Sequence, residues 1–285
     1  MPARSKTKAL TRRTADRHAL YQASVQDPAH EIALFDRFAR QHTGRPASSL
    51  REDFCGTALL CAAWVESRRD RTAVGIDIDR PTLRWAEARN RAPLGAAADR
   101  MRMVEADVRA PSPERFDLVC ALNYSYSVFH RRADLLDYFR AAHRALGPRG
   151  LFVLDAIGGW EAQKPLVEKR RERGFTYVWE QASYDPITAR YRCHIHFELP
   201  GGARLRRAFT YDWRLWSLME LRELLLEAGF AGVDAYWESA DARGEGSGIF
   251  RRVEHATNDP GWNAYLVAKK GRPAPGSPDA RRTGR

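Results

Sequence analysis

The sequence predicts an α/β fold: a doubly wound, mostly parallel sheet of seven strands, with an inserted antiparallel strand meander. Three observations predict it. Short apolar runs alternate with segments of helical spacing through the first half of the chain, the pattern of strands joined by crossover helices. Acidic residues stand at the ends of several of those runs. Between Phe175 and Trp216 the alternation gives way to three long aromatic-rich segments of strand character.

Ala15 to His42 carries Ile32, Leu34, Phe35 and Phe38 at helical spacing, with Pro28 placed to start its second half. Ser49 to Phe54 is the first strand and Thr57 to Ser67 the helix after it. Thr72 to Ile78 is the second strand, with Val74, Ile76 and Ile78 on one face, and Pro81 fits the first turn of the next helix. Arg102 to Ala106 and Phe116 to Leu122 are the third and fourth strands, the latter a continuous apolar run of the buried parallel kind. A helix from Ala133 to Leu146 stops at Gly147-Pro148, and Gly150 to Ile157 is the fifth strand.

Phe175 to Tyr184, Ala189 to Leu199 and Leu205 to Trp216 form the meander, with turns at Asp185-Pro186 and Pro200-Gly201-Gly202. The insertion spans about residues 158–216 of a domain covering 15–270. Ser217-Leu218-Met219-Glu220 is a capping box that opens a helix running to Gly229. Val233 to Trp237 and Asn263 to Ala268 complete the sheet. Between them a loop with Gly244-Glu245-Gly246-Ser247-Gly248 reads as a lid.

The net charge is +11, but residues 1–18 and 269–285 each carry +5, which leaves the body at +1. Flexible basic tails over 1–14 and 271–285, the second disordered, account for the excess better than a nucleic-acid groove does. No run approaches the length of a membrane span, and no apolar segment follows the basic N-terminus. Cys55, Cys61, Cys120 and Cys193 form no CxxC pair, so reduced thiols in a cytoplasmic protein without a metal site are expected.

The chemistry gathers at the strand ends. Arg51-Glu52-Asp53-Phe54-Cys55-Gly56-Thr57-Ala58 turns from strand to helix, where a backbone with few side chains in the way can approach a ligand. Asp77 closes the next strand about 20 residues on, placed to accept from both hydroxyls of a ribose. Asp107 follows the third strand and can accept from an exocyclic amine, with Val108 against a purine face. Asn123-Tyr124-Ser125-Tyr126 ends the fourth. Open α/β sheets bind ligands at these ends.

These residues resemble the class I S-adenosylmethionine (SAM)-dependent methyltransferases of Rossmann-like fold, small-molecule type. The resemblance covers about residues 49–268. Against that family's D-x-G-x-G-x-G turn, Glu52 takes the place of the acid, Gly56 is kept, and Phe54 and Ala58 replace two glycines, which implies a loop of different shape. The resemblance implies SAM as cofactor and S-adenosylhomocysteine as product. Glu52 and Gly56 would face the methionyl group, Asp77 the ribose, and Ile78, Asp107 and Val108 the adenine. Asn123 would stand at the methyl-transfer mouth, Tyr21 would close over the cofactor, and Tyr124 would orient the substrate.

A nicotinamide-binding fold is the competitor. Its pyrophosphate needs G-x-G-x-x-G, and Glu52 and Asp53 would repel it, whereas they suit the ammonium and sulfonium of SAM. The expected partner is a small-molecule methyl acceptor, with nitrogen ahead of oxygen or sulfur, held beneath the inserted aromatic strands. The expected assembly is a monomer or homodimer. A nucleic-acid base methyltransferase and a non-catalytic SAM-binding protein are the alternatives. His194 and His196, on one strand face with Arg192 and Glu198, are expected to be solvated or, second, to act as a base or clamp.

Overall fold

The computed structural model describes residues 10–271 apart from 242, 243 and 245. Most of both predicted tails, and Glu245 of the predicted lid, lie outside the described residues. Among the described residues no helix is long and apolar enough to cross a membrane. The chain divides into two compact units.

In chain order the elements are α1 (Arg17–Val25), α2 (Pro28–Thr43), β1 (Ser49–Asp53), α3 (Leu59–Ser67), β2 (Thr72–Asp77), α4 (Arg80–Ala86), β3 (Met101–Glu105), β4 (Phe116–Ala121), α5 (Arg132–Ala145) and β5 (Leu146–Gly158). Then follow β6 (Leu166–Glu172), β7 (Phe175–Asp185), β8 (Arg190–Glu198), β9 (Arg204–Arg214), α6 (Leu218–Glu227), β10 (Gly232–Ala240), β11 (Gly246–Val253) and β12 (Trp262–Lys269).

The larger unit holds residues 27–162 and 215–271. Its sheet runs β11-β10-β12-β5-β4-β1-β2-β3. From β5 to β3 the pairs are parallel, because each crossover contains a helix or a long loop. β12 is antiparallel to both β5 and β10. One face packs on α2, α3 and α4 through Phe35, Phe38, Leu50, Trp64, Leu83 and Cys120. The other packs on α5 and α6 through Val119, Tyr138, Phe152, Leu224 and Phe230. The predicted capping box is present: the Ser217 hydroxyl accepts from Glu220 N, and Glu220 accepts from Ser217 N.

Two corrections concern strands. The predicted lid contains β11, an eighth strand paired antiparallel to β10. It lies at the sheet edge and shows only Phe250 fully buried, so its sequence carries no alternation to read. Ile78 does not continue the buried face of β2: the strand ends at Asp77, and Ile78 is 73% exposed.

The smaller unit holds residues 10–26 and 163–214. Its antiparallel sheet runs β6-β7-β8-β9, one strand more than the predicted meander. The Lys169-Arg170-Arg171 run of β6 hid the strand, because an edge strand exposed on both faces needs no apolar period. Phe175, Ile195, Phe197 and Leu199 pack with Leu20 of α1.

Candidate functional site

Among the described residues six non-glycine positions have positive φ, and four of them cluster in the larger unit: Phe54, Ala58, Asn123 and Tyr124. They follow β1 and β4, which are neighbours in the sheet. Left-handed backbone costs a residue with a Cβ about 1–2 kcal/mol, and such positions concentrate at ligand sites. With Gly56 (φ 51), all three positions that carry glycine in the family motif take positive φ here. The backbone is left-handed at these positions although two of them carry side chains. A Cβ on Gly56 would meet nothing within 4 Å, so the loop borders open space.

The loop is tied to the end of β2. Gly56 N donates to Asp77 Oδ2 at 2.8 Å and Asp79 N donates to Asp77 Oδ1 at 2.8 Å. Beneath it, Cys55 packs where Gly75 leaves room; a Cβ on Gly75 would lie 2.8 Å from Cys55 Sγ. Phe54 sets its ring 5.4 Å from Tyr138 and 6.0 Å from Phe129.

Glu52 is buried, and its Oε2 accepts from Cys61 N at 3.2 Å. Ala58, the residue capping α3, has no side-chain oxygen, so Glu52 supplies the acceptor for the third helical N–H from the strand below. Burial pushes the Glu52 carboxyl up to about 7 against the lowering effect of that bond. Its side chain therefore sits under the helix rather than in the loop, where the sequence placed it.

Arg51 and Asp53 point to the opposite face. Arg51 Nε donates to Asp53 Oδ1 at 2.7 Å, and Arg51 Nη2 donates to the Val108 carbonyl at 2.6 Å. Tyr138 Oη donates to Asp53 Oδ2 at 3.0 Å. Arg51 Nη1 is buried with no hydrogen-bond partner, at a cost of about 1–3 kcal/mol.

Past β3, Asp107 accepts from Arg109 N at 2.8 Å and from Arg109 Nη2 at 2.6 Å, which holds its carboxyl below the usual range. Val108 is buried in the core with Val74 and Ile76. Val108, expected against a purine face, thus has its side chain in the core, whereas Ile78 is exposed.

Asn123 and Tyr124 follow β4. Their backbone N–H groups donate to the two carboxylate oxygens of Asp155, at 2.7 and 2.9 Å. Tyr124 Oη donates to Asn263 Oδ1 at 2.6 Å, and Asn263 Nδ2 to Glu238 Oε2 at 3.1 Å. Asp155 lies opposite Tyr265 in the β5–β12 pair, and Asn263 is two residues from Tyr265, so all three share one face. Tyr265 Oη lies 2.8 and 2.9 Å from the two oxygens of Glu31, in the first turn of α2.

Glu52 and Asp155 are thus both near enough to Glu31 to repel it on the α2 side of the sheet. Burial, with repulsion from Asp155 and Glu52 among the lesser causes, raises Glu31 to about 8. Burial raises Asp155 to about 7, although the Tyr124 and Asn123 N–H groups pull it down. Glu31, Asp155, Asn263 and Tyr265 escaped the sequence reading. Asp155 had a signal, an acid in an apolar strand like Asp77; Glu31 had none, since its partner lies 234 residues away. Among the described residues no group of three or more His, Cys, Asp or Glu is placed to hold a metal ion. All four cysteines are free and buried.

Tyr21 belongs to the smaller unit, where its ring lies 5.0 Å from Phe209. The histidines of that unit are not a solvated face. His194 is buried with Nδ1 2.9 Å from Thr210 Oγ1. His196 accepts from Arg207 N at Nδ1 and shares its Nε2 proton with Glu180 at 2.7 Å, so both ring nitrogens are engaged.

The family model described as a methyltransferase domain matches residues 55–152. No curated protein matches the chain. Among solved structures, it is similar to an S-adenosylmethionine-dependent methyltransferase from Clostridium acetobutylicum, at 15% identity and TM-score 0.65, over 89% of this chain and 97% of that one. It is similar to a SAM-bound amino pentose methyltransferase from Micromonospora echinaspora, at 16% identity and TM-score 0.62, over 89% and 95%. A sugar N-methyltransferase from Streptoalloteichus shares 21% identity and TM-score 0.59 over 96% and 99%. The methyltransferase-domain match over residues 55–152 spans about a third of the chain, and the similar structures share its fold.

Proposed function

We propose that the chain methylates the nitrogen of a small-molecule amine. The observation that carries this reading is the nearness of Glu31 to Glu52 and Asp155 on one sheet face beside Tyr124. Three carboxyls gathered there suit positively charged ligands and repel anionic ones. Sugar and glycopeptide N-methyltransferases among the similar structures agree with an amine acceptor.

The residues fit the cofactor. Asp77 offers a carboxylate, with the exposed Ile78 next to it as an apolar surface, a combination suited to a ribose and an adenine. The Asp107–Val108 turn follows the adjacent strand. Gly56 and the N–H-rich loop after β1 suit the methionyl end, with Asn123 and Tyr124 following the neighbouring strand. SAM supplies an activated methyl group on a sulfonium, and the chain has to align a nucleophile and exclude water.

The chain's part is then positioning and one proton transfer. Tyr124, fixed by its bond to Asn263, orients the acceptor. The Glu31 carboxylate would take a proton from the acceptor ammonium and become a carboxylic acid, which frees the nitrogen lone pair; when SAM is bound, the methyl group would pass to that nitrogen as its bond to sulfur breaks and the electron pair stays on the thioether. Tyr265 holds Glu31 in place throughout.

The test is methyl transfer from radiolabelled SAM to a panel of amino sugars, amino acids and polyamines, beside hydroxyl-only and thiol analogues. Label on amines, lost in Glu31→Gln with SAM affinity retained, supports the reading. Label only on hydroxyl or thiol compounds overturns it.

A further inference from the structure

Arg51 lies in β1, yet its guanidinium reaches the carbonyl of Val108, which follows β3. β2 stands between these two strands in the sheet. The same guanidinium holds Asp53, the residue before the Phe54–Ala58 loop. One fully buried side chain therefore joins the loop after β1 to the loop after β3, across the strand that ends in Asp77.

We propose that Arg51 is a positioning residue that sets the place of the Asp107–Val108 turn relative to Asp77, and through it the affinity for the adenosine end of the cofactor. This rests on the reading that Asp77, Ile78 and the 107–108 turn hold adenosine.

Stability alone is a poor reason for this group. A buried ion pair is commonly replaced by apolar residues without loss of stability, and this one leaves Nη1 without a partner. The arrangement does require arginine: a planar fork can bond Asp53 and the Val108 carbonyl at once, which an ammonium on a flexible stem does poorly. Tyr138 completes the set by occupying the second oxygen of Asp53.

The experiment is calorimetric titration of the full chain with SAM and with 5′-methylthioadenosine, which keeps the adenosine and lacks the amino-acid end. The variants are Arg51→Lys and the apolar triple replacement Arg51→Met, Asp53→Leu and Tyr138→Phe, each with a thermal melt. The triple variant should fold with its Tm retained and lose about tenfold or more in affinity for both ligands in the same proportion. Arg51→Lys should fall between it and the parent, and this variant carries the test if the triple variant does not fold. Unchanged affinity in folded variants, or a loss for SAM with none for methylthioadenosine, overturns the proposal. A parent chain that binds neither ligand, or an Asp77→Ala variant that binds both unchanged, refutes instead the adenosine reading on which it rests.

Discussion

Gly56 N donates to Asp77 Oδ2 at 2.8 Å, so the turn after the first strand is anchored on the residue that ends the second. The other Asp77 oxygen is held by Asp79 N. The carboxylate proposed to hold a ribose therefore also fixes the loop next to it. Asp77→Ala should lower SAM affinity by about 10–100-fold, the worth of a lost charge-assisted bond or two, as read by calorimetry. Asp77→Asn, which keeps one acceptor oxygen, should fall between. Equal affinity for all three proteins would exclude Asp77 from the site.

Asp155 accepts from two consecutive backbone N–H groups on residues of positive φ. Asp155→Ala strands both donors and should destabilise the chain by about 2–5 kcal/mol in urea unfolding. Asp155→Asn can satisfy only one of them well and should cost less.

Phe54 and Ala58 share a backbone conformation but not a fate. Ala58→Gly relieves left-handed strain and should be neutral or stabilise by up to about 1 kcal/mol, with SAM binding intact. Phe54→Gly relieves the same strain but removes a ring packed near Phe129 and Tyr138, and should destabilise by about 2 kcal/mol or more. Paired thermal melts check the opposite signs.

Glu52 and Asp155 titrate at about 7 and Glu31 at about 8, all above their ordinary values. A raised folded pKa on an acid means that the folded state binds more protons than the unfolded chain between the two values. The ligand-free protein should therefore lose stability as pH rises from about 4.5 to about 8. SAM, as a cation, should bind more tightly over the upper part of that window. Melts from pH 6 to 8.5 should show Tm falling without SAM and the SAM-induced rise growing; a Tm that climbs with pH in the ligand-free protein would contradict the cluster.

The fold was readable because its strands obey simple periods. The apolar run of β4, the capping box at Ser217 and the helix stop near Gly147 need only local chemistry. β6 and β11 were not readable, since edge strands with little burial have no period to display. At the candidate site, the positions of Asp77, Asn123 and Tyr124 at strand ends were legible. Glu52 could be found but not aimed: strand alternation assigns it to a face, and only the packed helix shows that it caps α3. Ile78 and Val108 were both expected at the adenine, but only Ile78 is exposed, because β2 ends one residue before it whereas Val108 turns into the core. Glu31 depends on a tyrosine from the far end of the chain, which no local pattern announces.

The grouping of Glu31, Glu52 and Asp155 makes this end of the sheet a charge buffer. Groups poised near neutrality release protons when a cation arrives and recover them when it leaves, so uptake of a positive ligand is coupled to proton release into the solvent. The heat of such binding depends on the ionisation enthalpy of the surrounding buffer. A ligand and its uncharged counterpart, alike in shape, would then differ in how many protons they displace.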